Sequence, residues 1–155
     1  MREILFRGKR IDNGEWVSSG NLITFNDEGE GKQFFIPQMN AKCTCTHDEY
    51  DNIISFDSGM FYNLDPDTVG QFTGLTDKNG KRVFEHDVIK HDFGDEIGVI
   101  RYGEYRGGHV GFYVDWVRGT ASELLRKDLA YWMKIVEIIG NIHDNPELLR
   151  GGEDG

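Results

Sequence analysis

Cysteine is almost missing from this chain, with Cys43 and Cys45 the only two in 155 residues. A pair two residues apart cannot staple distant parts of a fold, which excludes a disulfide scaffold and fits a reducing compartment. No apolar run approaches the ~20 residues of a membrane-spanning helix. The basic start from Met1 to Arg10 lacks the long apolar core of a secretory signal, and no Asn-x-Ser/Thr sequon occurs. A cytoplasmic protein with no membrane partner is expected. Basic residues are short as well: 17 Lys and Arg against 27 Asp and Glu give a formal charge of −10. That balance disfavours nonspecific attraction to a phosphate backbone.

Against these shortages stand 38% hydrophobic residues and 12% aromatics, enough for a core, and 20 glycines beside only 3 prolines. Such a balance implies many tight turns between short strands. The length suits one domain over residues 1–150. A soft internal boundary falls near residue 65, where Asp65-Pro66-Asp67 favours an extended residue followed by a turn. This separates an N-terminal β region, 1–65, from a core at 66–150, followed by a loose Gly/acidic tail at 151–155.

Hydrophobic alternation marks the elements. Ile4, Phe6 and Ile11 before Asn13-Gly14, with Trp16 and Val17 after it, predict an opening β-hairpin. Aromatic runs at 32–37, around Ile53, Ile54 and Phe56, and at 60–62 read as further strands. Strands are also predicted at 69–75, 82–84, 88–91, 97–102 and 110–117. Of these, the first two are joined around Asn79-Gly80, a pair that tolerates the positive φ of hairpin turns. Thr120 and Glu123 have capping-box spacing. Leu125, Leu129, Trp132 and Val136 then fall on one stripe, which predicts a helix ending near Lys134. A strand at 136–142 and a last helical turn capped by Asn145, with Pro146 in first position, complete the chain. The expected fold is mainly β: a small SH3-like barrel or pseudo-barrel with an N-terminal hairpin extension and one or two short C-terminal helices.

Four stretches, REILFRGKR at the N-terminus, the segment 68–90, GVIRY at 98–102 and VEIIGNIHDNPELL at 136–149, together resemble the YopX family of phage and prophage proteins. The resemblance runs over most of the chain. It implies a phage or prophage origin, a mainly β fold and self-association in a bacterial cytoplasm, and it carries no catalytic residues. In that family the turn matching Glu85-His86-Asp87 commonly has glycine at its middle position. His86 stands there in this chain, and histidine enters the left-handed region more readily than most residues.

Candidate chemistry is sparse. Cys43, Cys45 and His47 alternate, and two thiolates with an imidazole suit zinc, yet they bring no fourth ligand and lack separated knuckles. No metal or other cofactor is expected. His47, His86, His91 and His143 are each followed by Asp, but neighbours on a strand face opposite sides, so turn and surface roles are favoured over acid–base dyads. No serine sits in a G-x-S-x-G elbow, and neither cysteine carries a nucleophile signature. The expectation is therefore that this is not an enzyme. Arg101, Tyr102, Tyr105, Arg106 and His109 form a basic-aromatic cluster suited to stacking single-stranded bases or gripping a protein. Glu104 and the overall acidity weaken the first of these readings.

The leading reading is a non-catalytic accessory protein, a binding or oligomeric scaffold acting on a host or phage macromolecule. The alternative is a nucleic-acid binder, or an acidic protein that mimics nucleic acid at a host enzyme. Val110 to Val117 alternates weakly and carries one charge, so both its faces need cover, which favours a homo-oligomer.

Overall fold

The computed structural model describes residues 2–38, 45–50, 53–56, 61–91, 95–119 and 127–150. The chain divides into two compact units, Ile4–Gly70 and Gln71–Gly155, the second including Met1–Glu3.

Among its described residues the first unit carries β1 (Phe6–Lys9), β2 (Trp16–Ser19), β3 (Ile23–Asp27), β4 (Gly31–Pro37), β5 (Cys45–His47), β6 (Ile53–Phe56) and β7 (Phe61–Leu64). Strands β1 and β2 form the expected hairpin. Strands β3, β4 and β7 make an antiparallel sheet, and β5 pairs with β6. Ile36 and Leu64 are fully buried between these elements. Gly8 lets β1 lie directly on Leu64, since a Cβ there would come within 2.9 Å of the Leu64 Cδ1. The Asp65 carboxylate accepts from the Asp67 N–H and caps the 3₁₀ turn Pro66–Thr68, as the Asx-Pro signal implies.

The second unit contains β8 (Gly70–Thr76), β9 (Arg82–Phe84), β10 (Asp87–His91), β11 (Ile97–Tyr105), β12 (His109–Arg118), the one-turn helix α1 (Leu129–Trp132) and β13 (Val136–Asn141). Strands β8 and β9 pair, and a sheet runs in the order β12-β11-β10-β13. Apolar residues alternate on its long strands, and both faces are covered. Ile89, Ile100, Val114 and Trp116 pack with Val83, Leu129 and Trp132 in one cluster. Val88, Ile97 and Val99 pack with Ile139, Ile142, Leu148 and Leu149 in another. The protein is thus mainly β with several antiparallel sheets, and among the described residues none closes into a barrel.

Among the described residues the expected helix appears as the turn Leu129–Trp132, where Leu129 and Trp132 are buried. Thr120, Glu123 and Leu125 lie outside the described residues. The closing turn Pro146–Leu149 is a 3₁₀ helix with Asn145 at its cap. The Asn145 side chain does not cap that turn but accepts from the Asn141 N–H at 3.3 Å.

Both Asn-Gly hairpins form, with one difference from the expected turn chemistry. Gly14 and Gly80 have φ of 72° and 79°, while neither Asn13 nor Asn79 has positive φ. At the second hairpin the Gly80 N–H donates to the Asp77 carbonyl and the Asp77 N–H to the Lys81 carbonyl. This is a three-residue loop with a left-handed glycine, in place of a two-residue turn that needs two left-handed residues. No atom lies within 4 Å of a Cβ at Gly80, so the effect of Gly80→Val isolates backbone strain. It is expected to cost about 2 kcal/mol, read as a fall of about 1 M in the urea midpoint. An unchanged midpoint would contradict the turn.

Candidate functional site

The hairpin of β11 and β12 carries the basic-aromatic cluster. Its register pairs Arg101 with Tyr113, Tyr102 with Phe112 and Tyr105 with His109 around the tip Arg106-Gly107-Gly108. Opposed residues share a face and successive residues alternate. Arg101, Tyr105, His109 and Tyr113 therefore stand on one side of the hairpin. Tyr102 stands on the other, beside Phe112 and Val110, so the five residues do not form one surface.

The first face is internally occupied. Tyr105 stacks on Tyr113 at 5.2 Å between ring centroids and lies 5.7 Å from the His109 ring. The Arg101 Nε donates to Asp115 at 2.9 Å, and Arg106 pairs with Asp128 at 3.4 Å. Both cations of the cluster thus face carboxylates of the same chain.

The second face points outward and carries Glu104 opposite Val110 beside its apolar residues. Tyr102 meets Phe112 edge-to-face at 5.1 Å, while Tyr102 and Val110 are 59% and 68% exposed. This face continues that of Ile100 and Val114, which are fully buried nearer the base of the hairpin. Strand β12 is also an edge of its sheet. Its middle is covered, because Tyr113 bridges Asp128 and the Val114 N–H donates to the Lys127 carbonyl. By alternation the N–H groups of Val110 and Phe112 point to that same side. Among the described residues no strand pairs with the edge from His109 to Phe112.

A second constellation joins two turns. His86, in the turn between β9 and β10, has φ of 72°, the left-handed conformation anticipated for it. Its backbone is fixed at both ends: the His86 N–H donates to the Ile100 carbonyl, and its own carbonyl accepts from the Ile142 N–H. His143, in the turn after β13, donates its N–H to the Asn141 side chain. The His143 Nε2 lies 3.1 Å from the His86 Nδ1, with the rings at 79°. Each histidine stands beside an aspartate in the sequence, but the ring it meets is 57 residues away.

Carboxylates nearby have set roles. Asp87 is buried and accepts from the Phe84 N–H at 2.8 Å. Glu85 accepts from the Gln71 N–H, and burial pushes its carboxyl up against that bond. Asp77 is 5% exposed. Its Oδ1 accepts from the Asn79 and Lys81 N–H groups and its Oδ2 from the Ile138 N–H on β13. Burial opposes the Asp77 charge, but the N–H groups of Ile138, Lys81 and Asn79 outweigh it and hold the carboxyl below its ordinary value.

Of the cysteine-histidine run, Cys43 lies outside the described residues, and Cys45 and His47 belong to β5, whose register with β6 shifts after Thr46. The basic N-terminal stretch has a feature that charge counting missed. Arg7 and Lys9 both lie over the Trp16 ring, at 4.8 and 5.6 Å. Their shared parity on β1 and the pairing of Lys9 with Trp16 across the hairpin were the available signals. Among the described residues no helix is long and apolar enough to cross a membrane. Nor does any group of three or more His, Cys, Asp or Glu come together there as a metal site.

No curated protein matches the chain. Among solved structures it is similar to protein EF1440 from Enterococcus faecalis, with 22% identity and a TM-score of 0.48 over 97% of this chain and 100% of that one. The family model described as YopX protein matches residues 5–150, nearly the whole sequence, and the chain therefore belongs to the YopX family.

Proposed function

We propose that the protein is a non-catalytic, self-associating binding module, an accessory protein of phage or prophage type that works in the bacterial cytoplasm on a host or phage macromolecule. Its strand succession is then read as the open, pseudo-barrel form of an SH3-like arrangement. The observation that carries this reading is the composition of the β11–β12 hairpin. Its exposed side presents Tyr102 and Val110 next to an edge of β12, whereas Arg101 and Arg106 are paired with Asp115 and Asp128. Exposed Tyr102 and Val110 side chains beside backbone donors suit a protein strand, with Glu104 as the one charge among them. Paired cations in a chain of charge −10 do not suit a phosphate backbone. The occupant proposed is a second copy of this chain, whose β12 would extend the sheet across a closed two-fold interface.

Sedimentation equilibrium tests this reading. The wild type is expected to run above the monomer mass of 17.7 kDa, and Tyr102→Ser/Val110→Asp is expected to return it to the monomer. A wild type that stays monomeric at high concentration would overturn the reading. So would tight, salt-dependent binding of a single-stranded oligonucleotide that Arg101→Ala abolishes, since that result would move the site to the opposite face of the hairpin.

A further inference from the structure

We propose that His86 and His143 form the two-nitrogen edge of a binding site for a divalent first-row transition metal such as zinc. The His86 Nδ1 and His143 Nε2 are 3.1 Å apart. Two imidazole nitrogens each ~2.0–2.1 Å from a tetrahedral zinc ion stand about 3.3 Å apart, close to the observed spacing, and the rings form a chelate by turning their lone pairs from each other toward the ion. The ring that donates in this contact gives that proton to solvent and takes one up on its other nitrogen, so both facing nitrogens present lone pairs to the metal. Water fills the remaining positions, and the chain's charge of −10 raises the local concentration of cations.

The backbone points the same way. His86 occupies a left-handed position, φ 72°, where glycine sits without strain and another residue costs about 1 kcal/mol or more. Main-chain bonds to Ile100 and Ile142 hold that conformation and bring its ring to His143. The Asn141 side chain accepts from the His143 and Asp144 N–H groups and fixes the second turn. The two ligands are thus mounted on separate, braced turns.

The test uses untagged protein carrying Cys43→Ser/Cys45→Ser, which removes the thiolates as competing ligands, and zinc chloride as the probe. Calorimetry is expected to show one zinc per chain with a Kd below about 1 mM. Histidine ring resonances of His86 and His143 alone should shift. Binding should weaken as the solution is acidified, as protons compete for the same nitrogens. His86→Gly and His143→Ala should each weaken binding at least tenfold. His86→Gly is expected to leave the metal-free protein as stable as before or more so, because glycine accepts that φ, which separates a lost ligand from a lost fold. No heat up to about 1 mM zinc, binding that either variant leaves intact, or shifts centred on His47, His91 or His109 would overturn the site.

Discussion

Asp77→Ala is expected to lower stability by about 3 kcal/mol, one of the two largest effects anticipated here. The side chain is nearly fully buried, and it joins the Asn79-Gly80 loop to β13 through three backbone N–H groups. Alanine would leave those donors facing a void, and hydrogen bonds to a charged acceptor are worth more than neutral ones. A pH signature accompanies the loss. The folded carboxyl titrates below its ordinary value because those N–H groups outweigh burial. Its contribution is therefore complete above the unfolded pKa of ~3.9 and is lost as pH falls through the lower folded value. The wild type should lose stability below about pH 4, and Asp77→Asn should flatten that acid limb. Chemical denaturation across pH reads both; an acid limb identical in wild type and variant would contradict the assignment.

Gly98→Val is the second large effect, about 3 kcal/mol by overpacking. Gly98 lies on the face of β11 that bears Ile100, opposite Trp116. A Cβ there would come within 2.5 Å of the Val114 Cγ1 and 3.1 Å of the Trp116 Cε3. Glycine is needed for space and not for φ, so enlarging the cavity should help. Val114→Ala removes the closest atom, and Gly98→Ala/Val114→Ala should be less destabilised than the sum of its single variants. Strict additivity, measured by thermal or urea unfolding, would show that the two residues do not compete for one volume.

The parts of this fold that were legible in the sequence are local. Asn13-Gly14 and Asn79-Gly80 announced their hairpins because a left-handed glycine is a requirement within a few residues. The left-handed conformation of His86 was suggested only by the family resemblance, in which glycine is common at that turn position, and by no local signal. Val88, Ile97, Val99, Ile100 and Val114 were readable as strand residues because short β-branched apolar runs stand between turn signals. What was not legible depends on register and on distant partners. Arg101 and Tyr102 looked like one cluster in the sequence, but the pleat puts them on opposite faces of β11, and only the pairing with β12 shows that Asp115 takes up the Arg101 charge. Nothing local in the sequence singles out Asp77, since the Ile138 N–H that makes it a buried strut lies 61 residues away. His86 and His143 each sat beside an aspartate in sequence and met each other only through the folding of β10 against β13.

A second copy is proposed to dock on the edge of β12 from His109 to Phe112, with which no strand pairs among the described residues and which has Tyr102 and Val110 beside it. Hydrogen exchange of the Val110 and Phe112 amides, compared between dilute and concentrated protein, tests it most directly. The account predicts protection of those two amides that grows with concentration, while the Val114 amide, already bonded to Lys127, stays equally protected throughout. Exchange at Val110 and Phe112 that does not change with concentration would contradict it.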